Sequence, residues 1–437
     1  MNNRIILVCC MCGIFLSLAG CTKKASSQPP PPAPDSSLVN TLHLDNLYTP
    51  VKFSTGTNAA GIYIYSEAPD YHLVAATGEG FACVDDVSRA AQVYLRSKKI
   101  SSDTVIQSKV YNLIRFILEM QSSNGYFYNF LFANNLINTS GPTSINNPNW
   151  WSWRALQTLT EAEPFIKTKD AQLYNNMELA INKLMTQIKI DMIGLPLTTK
   201  TVNGVLVPQW LPAGSGTDQS ATLILGLIPY CLATNDTVIA AYIKRLADGI
   251  SLMQAGDSTH FPYACFLSWE NTWHAYGNSQ AYALIRASVF LNDPQYSINA
   301  EAEVDNFYPW LAQNGFKSSF SLSKVGGVYQ TVTDNTYDQI AYGIEPMVFA
   351  AAELFKKTGE PKYADLAGKL AAWLLGANNA GTNIYDKATG RCYDAISPGG
   401  SVNLNSGAES TIEALLTLEL VENVPEIKAA LIKYKKP

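Results

Sequence analysis

The chain has 437 residues, only 15% of them charged, a net charge of −5, and an aromatic content of 11% rich in Tyr and Trp. No Lys/Arg cluster interleaves with those aromatics, so nucleic acid is excluded as a partner. A mildly acidic, aromatic-rich chain suits a neutral or sugar-like ligand, an oligosaccharide or polysaccharide, with part of the aromatic set serving as core.

The N-terminus carries Arg4, an apolar run from Ile5 to Leu18, and then Leu18-Ala19-Gly20-Cys21. This is the pattern of a lipoprotein signal (residues 1–20), too short to span a bilayer comfortably and ending at a cysteine that takes the lipid. Residues 21–37, with the proline run Pro29–Pro32, cannot form a core and read as a tether. The expectation is a monomer whose only membrane contact is the Cys21 lipid. It would sit in the cell envelope, at the periplasmic or surface face of an outer membrane. Residues 38–437 read as one domain. Of the cysteines beyond the tether, Cys83, Cys231, Cys265 and Cys392 show no metal-ligand spacing. Four buried free thiols are expected, with a single bridge among Cys83, Cys265 and Cys392 as the alternative.

Residues 40–80 contain the alternating stretch Gly61-Ile-Tyr-Ile-Tyr65 and turn residues at Pro69-Asp70, a small β-like lead-in. Apolar spacing of three and four residues then predicts twelve helices, at 84–97, 104–121, 150–163, 173–190, 217–233, 237–253, 274–290, 298–312, 336–357, 361–376, 407–420 and 426–434. The first helix of each pair is followed by a short loop, and most second helices by about twenty residues or more, which makes six antiparallel hairpins. The fold expected is all-α, an (α/α)6 toroid, with the first helices of the pairs forming the inner ring and their N-termini sharing one rim. Small residues at Ala90-Ala91, Gly277-Asn-Ser279, Ala341-Tyr-Gly343 and Gly407-Ala408 suit that tight ring.

Each of those rim N-termini carries a motif of acids, aromatics and amides, at 78–86, 147–154, 214–220, 269–278, 334–339 and 405–411. The bland reading is capping, since helix N-termini favour carboxylates; Asp85, Asp86, Asp218, Asp334, Asp338 and Glu409 all qualify. The chemical reading starts from Asp85 and Asp86, which point about 100° apart on a helix. Arg89, one turn on, reaches either. One acid is then structural, and Asp86 is the one assigned to the cavity. On the ninth helix Asp338, Tyr342 and Glu345 fall at i, i+4 and i+7, one polar stripe, with Pro346 disturbing the turn. Closure of the toroid sets the eleventh helix, with Glu409 and Glu413, about 8–10 Å from the first. Two carboxylates across that seam suit general acid and base or nucleophile roles at a glycosidic bond.

Trp150, Trp151, Trp153, Trp210, Trp269 and Trp273 fall on or just before the rim and offer stacking faces, and Arg154, Asp218, His274 and Tyr342 offer polar contacts to substrate. His274 also reads as a plain structural histidine. No Ser/His/Asp order, phosphate loop or His-x-His set is present, and Asp85-Asp86-Val-Ser-Arg lacks the third acid of a prenyl-transfer Mg²⁺ motif. Neither cofactor nor metal is expected.

Over roughly residues 80 to 435 the chain resembles the six-hairpin glycosidase superfamily. Trp373-Leu-Leu-Gly-Ala-Asn-Asn, Ile384-Tyr-Asp, Cys392-Tyr-Asp394-Ala, Asn405-Ser-Gly-Ala-Glu-Ser-Thr and Val84-Asp-Asp-Val-Ser-Arg-Ala look like the helical domain accompanying some bacterial sugar-transferring enzymes. The resemblance implies carbohydrate chemistry at the cavity rim. The superfamily's families place their acids on different helices, so no catalytic pair carries over. The expected function is a glycoside hydrolase using Asp85, Asp86, Asp338, Glu345 and Glu409. The alternatives are a non-catalytic glycan-binding lipoprotein, or a lyase or epimerase on uronic-acid sugars, for which Arg89 and Arg154 are the available cations.

Overall fold

A computed structural model describes residues 37–436. The signal, Cys21 and the tether lie outside the described residues. The lead-in comprises one helical turn, α1 (Leu42–Leu47), and two antiparallel hairpins, Tyr48–Lys52 with Asn58–Ile62 and Tyr65–Glu67 with His72–Val74. The second hairpin turns at Pro69-Asp70, as the turn residues predict.

Twelve longer helices follow among the described residues: α2 (Val84–Arg96), α3 (Thr104–Glu119), α4 (Trp150–Lys167), α5 (Ala171–Asp191), α6 (Thr217–Thr234), α7 (Thr237–Leu252), α8 (Gln280–Leu291), α9 (Pro294–Gln313), α10 (Glu345–Thr358), α11 (Pro361–Ala371), α12 (Ala408–Asn423) and α13 (Pro425–Tyr434). Helices α2, α4, α6, α8, α10 and α12 touch in sequence, and α12 packs back on α2, closing the inner ring; each odd-numbered helix packs outside its even partner. The expected (α/α)6 toroid is therefore the fold. Burial follows the ring. Inner α6 is buried from Thr217 to Ile228 except at Leu225, whereas outer α3 buries only Val110, Leu113, Ile114, Phe116 and Ile117, one stripe facing inward.

Local chemistry sets the ends of these helices. Asp103, Asp170, Asp236 and Asp293 cap the outer helices α3, α5, α7 and α9 by accepting backbone N–H bonds. The inner helices are capped differently. Cys83 Sγ accepts from Asp86 N in α2, Asn149 accepts from Trp150 N in α4, and Gly216 and Gly407 precede α6 and α12 with no side-chain cap of their own. None of the rim acids Asp85, Asp86, Asp218, Asp338 and Glu409 is an N-cap, but Asp85, Asp86, Asp218 and Glu409 lie in the first turns of α2, α6 and α12, where the helix dipole favours a carboxylate.

Two predicted helix starts are corrected. Thr272–His274 is a strand, paired with the start of a long hairpin, Ser319–Val325 with Val328–Asn335, and α8 begins only at Gln280. Helix α10 begins at Glu345 rather than 336, because Pro346 suits a first turn but lacks the N–H that a continuous helix would need. Ahead of it lie one 3₁₀ turn, Ala341–Gly343, and an extended segment in which Gln339 bridges Ile396. Asp338, Tyr342 and Glu345 thus do not form a helical stripe. Asp334 is in the hairpin, paired with Lys317 at 2.7 Å.

Close helix approach needs small residues: Ala90 and Ala91 of α2 and Ala408 of α12 are buried in the inner ring as foreseen, and Gly226 of α6 adds a contact that was not. A Cβ on Gly226 of α6 would lie 2.9 Å from Gln157 N of α4, and Thr160 Oγ donates to the Gly226 carbonyl at 3.2 Å. Gly277 and Gly343 instead sit in the connections before α8 and α10. The four cysteines of the described residues are buried and free, as expected.

Candidate active site

A cavity of about 410 Å³ opens where α12 closes on α2. Its lining includes Asp85, Asp86 and Arg89 from α2, Glu409 and Ser410 from α12, Asp338 and Tyr342 from the segment before α10, and Tyr65, Glu79, Asn129, Phe130 and Asp394 from loops and the lead-in.

The start of α2 is held by the loop before α4: Asn129 accepts from Val84 N through its carbonyl at 2.8 Å and from Asp85 N through its side chain at 3.2 Å. The start of α12 is held by Asp394, whose Oδ1 accepts from Gly407 N at 2.7 Å and Ser410 Oγ at 2.6 Å. The Cys392-Tyr-Asp394-Ala stretch therefore serves as the external cap of the helix that carries Glu409.

Arg89 ties the two helices together. Its side chain is 1% exposed, and its Nη2 lies 3.2 Å from Asp85 Oδ2, 2.8 Å from Asp86 Oδ1 and 3.4 Å from Glu409 Oε2, while its Nη1 bonds Glu413. Four carboxylates thus converge on one guanidinium, and the expected seam between the first and eleventh helices is made through Arg89. Asp85 is also paired with Arg154 Nε at 3.3 Å. Arg154 bonds the Tyr342 hydroxyl, and both guanidiniums lie about 5 Å from the Tyr342 ring centre.

Asp85 and Asp86 both line the cavity, and Asp85 rather than Asp86 has the larger exposure. Asp86 is 7% exposed, bonded to Arg89 and receiving the Cys83 thiol at 3.2 Å, whereas Asp85 is 25% exposed. Burial raises the Asp86 carboxyl above the usual range, against the pull of Arg89. Glu409 keeps 43% of its side chain open to the cavity, yet lies deep among protein atoms; this desolvation pushes it up to about 7, opposed by Arg89. Asp338 stands exposed at the mouth with no ion-pair partner among the described residues. Glu345 is not in the cavity lining. It is half-buried, and burial together with the Glu413 charge pushes it up to about 8.

The other expected contacts separate. His274 Nε2 meets Asp218 Oδ2 at 3.0 Å, its Nδ1 meets the Tyr276 carbonyl at 2.8 Å, and the Tyr276 ring lies flat on it at 3.7 Å. Trp151, Trp210 and Trp273 are core: the first two donate to the carbonyls of Phe127 and Arg245, and Trp273 stacks on Phe320. Trp153 is buried as well, donating to Gln219. Of the six, Trp150 is half-buried and Trp269 is exposed. Rim position was a poor guide because Trp151 and Trp153 face the core from within α4, and Trp210 and Trp273 face it from the segments ahead of α6 and α8. Tyr65, Glu79, Asn129 and Asp394 were not singled out as site residues, although Glu79 lies in the 78–86 motif, Tyr65 ends the alternating stretch 61–65 and Asp394 falls in the Cys392-Tyr-Asp394-Ala stretch; Asn129 alone comes from a segment that carried no signal.

No family model and no curated protein matches the chain. Among solved structures it is similar to a D-mannose isomerase (13% identity, 83% of this chain and 92% of that one, TM-score 0.57). It is also similar to a family 76 glycoside hydrolase from a bovine Bacteroides thetaiotaomicron strain (12% identity, 91% and 78%, TM-score 0.54). It spans about half (51%) of the length of a GH127 beta-arabinofuranosidase, at 12% identity over 77% of this chain and a TM-score of 0.47. At such identities the shared property is the architecture, and the chain has the (α/α)6 toroid fold of these proteins.

Proposed function

We propose that the protein is a carbohydrate-active enzyme, a glycoside hydrolase anchored to the cell envelope through Cys21. The observation that carries the reading is Glu409, a carboxyl open to a sugar-sized cavity whose wall also carries Asp85, Asp86 and Asp338, and which desolvation pushes up to about 7. Carboxyls set around one cavity in different environments suit acid and base roles. Protonated Glu409 donates to the glycosidic oxygen as the bond to the anomeric carbon breaks. Asp338, exposed and unpaired, takes the proton of the attacking water. Asp85, fixed by Arg89 and Arg154, lies against the positive charge that develops on the sugar ring.

The cavity argues against uronic-acid sugars. Glu79, Asp85, Asp86, Asp338, Asp394 and Glu409 line it against Arg89 alone, whose nitrogens are already taken by carboxylates. A substrate carboxylate would enter a field of its own sign, and among the described lining residues no free cation meets it. The test is mass spectrometry of neutral and uronate-bearing oligosaccharides after incubation with the protein. Neutral products that gain water, lost in Glu409→Gln and Asp338→Asn, are expected. Unsaturated products would replace the reading by a lyase, and binding without cleavage by a glycan-capture protein.

A further inference from the structure

Tyr65 lines the cavity, is 45% exposed, and has neither a ring contact nor a hydrogen bond to its hydroxyl among the described residues. An aromatic face left open inside a polar, acid-walled cavity is costly to hydrate and is the surface on which the apolar face of a pyranose stacks. Tyr65 belongs to the lead-in, yet its backbone is fastened to the segment that presents Glu409. The Ile64 carbonyl accepts from Ala408 N at 2.8 Å, the Ser66 carbonyl from Ser406 N at 2.9 Å, and Ala68 N donates to Asn405 Oδ1 at 3.0 Å. Gly407 permits this closeness, since a Cβ there would lie 2.6 Å from the Ile64 carbonyl oxygen. The hairpin is held on its other side as well, with Ile64 N donating to the Phe81 carbonyl at 3.0 Å and Ser66 Oγ to the Tyr71 carbonyl at 2.9 Å.

We propose that Tyr65 is the stacking platform for the sugar ring next to Glu409, so that residues outside the six helical hairpins complete the substrate site. This rests on the carbohydrate reading above. The ring lies on the phenol face while its hydroxyls turn toward Glu79, Asp85 and Asn129, acceptors and donors on the surrounding wall. Burial and the charges of Glu79 and Asp86 hold the phenol above its ordinary range, so its hydroxyl stays a donor for a sugar oxygen.

The test measures binding of neutral gluco-, manno- and xylo-oligosaccharides to the full chain by calorimetry, in the Glu409→Gln background so that no turnover intervenes. Tyr65→Ala is expected to weaken the affinity about tenfold without lowering the melting temperature, and Tyr65→Trp to retain it. Unchanged affinity in Tyr65→Ala, or equal loss in Tyr65→Ala and Tyr65→Trp at unchanged melting temperature, overturns the platform while leaving the carbohydrate reading in place. Absence of binding to every sugar by the unsubstituted chain overturns both.

Discussion

Arg89 brings one positive charge into contact with Asp85, Asp86, Glu409 and Glu413, and no water-exposed surface remains to it beyond 1%. Removing it leaves buried carboxylates without a counter-charge, which costs on the order of 3–5 kcal/mol. Arg89→Met is expected to lower unfolding stability by about that amount in urea titration, with Arg89→Lys recovering little, because a single ammonium cannot span acids on two helices. At the same scale Glu409 predicts the pH profile. A general acid with a carboxyl near 7 loses its proton as pH rises, so kcat/KM is expected to fall on the alkaline side with an apparent pKa close to 7. Glu409→Gln is expected to cut kcat by about 10²–10⁴. An alkaline limb that persists in Glu409→Gln would assign it to another group.

At the scale of elements, the helices were legible because each signal is local. Four of the outer helices, α3, α5, α7 and α9, announce themselves with aspartate caps, and the inner ones with apolar residues on nearly every side. The two wrong starts, at 274 and 336, share a cause: apolar residues in short strands and turns mimic helical spacing when the pairing partner, Ser319–Ser321 or Ile396, is distant in sequence. Ring closure also depends on contacts no local pattern marks. Gly226 is one, and Gly226→Ala is expected to destabilise the protein by about 1–3 kcal/mol, because the added methyl meets the α4 backbone. A thermal melt of this variant beside the unsubstituted protein checks it; an unchanged or raised melting temperature would remove the packing contact as a constraint, since Gly→Ala within a helix otherwise stabilises.

Across the whole molecule, acids buried in the rings make stability depend on pH. Glu303 in α9 accepts from Phe266 N at 2.7 Å and Tyr308 Oη at 3.2 Å, and burial pushes it up to about 8; Glu419 in α12 is likewise pushed up to about 8 by burial. A carboxyl with a raised folded-state pKa keeps its proton where the unfolded chain has lost it. Its contribution is therefore complete below about 4.5 and is lost as pH rises toward about 8. The melting temperature is expected to fall between those values, and Glu303→Gln to flatten the fall; a slope unchanged by that substitution would remove Glu303 as a cause.

Hairpin count, ring closure and the convergence of the first and eleventh helices followed from periodicity, loop length and capping, which act within a few residues of one another. Arg89 pairing with Asp85 and Asp86 followed from helical spacing in the same way. How far each acid opens to the cavity, which tryptophans are core, and the arrival of Tyr65, Glu79 and Asp394 in one lining with Glu409 were decided only when segments far apart in the chain met. Burial, and with it the protonation of each carboxyl, is a property of those meetings and has no counterpart in any single stretch of residues.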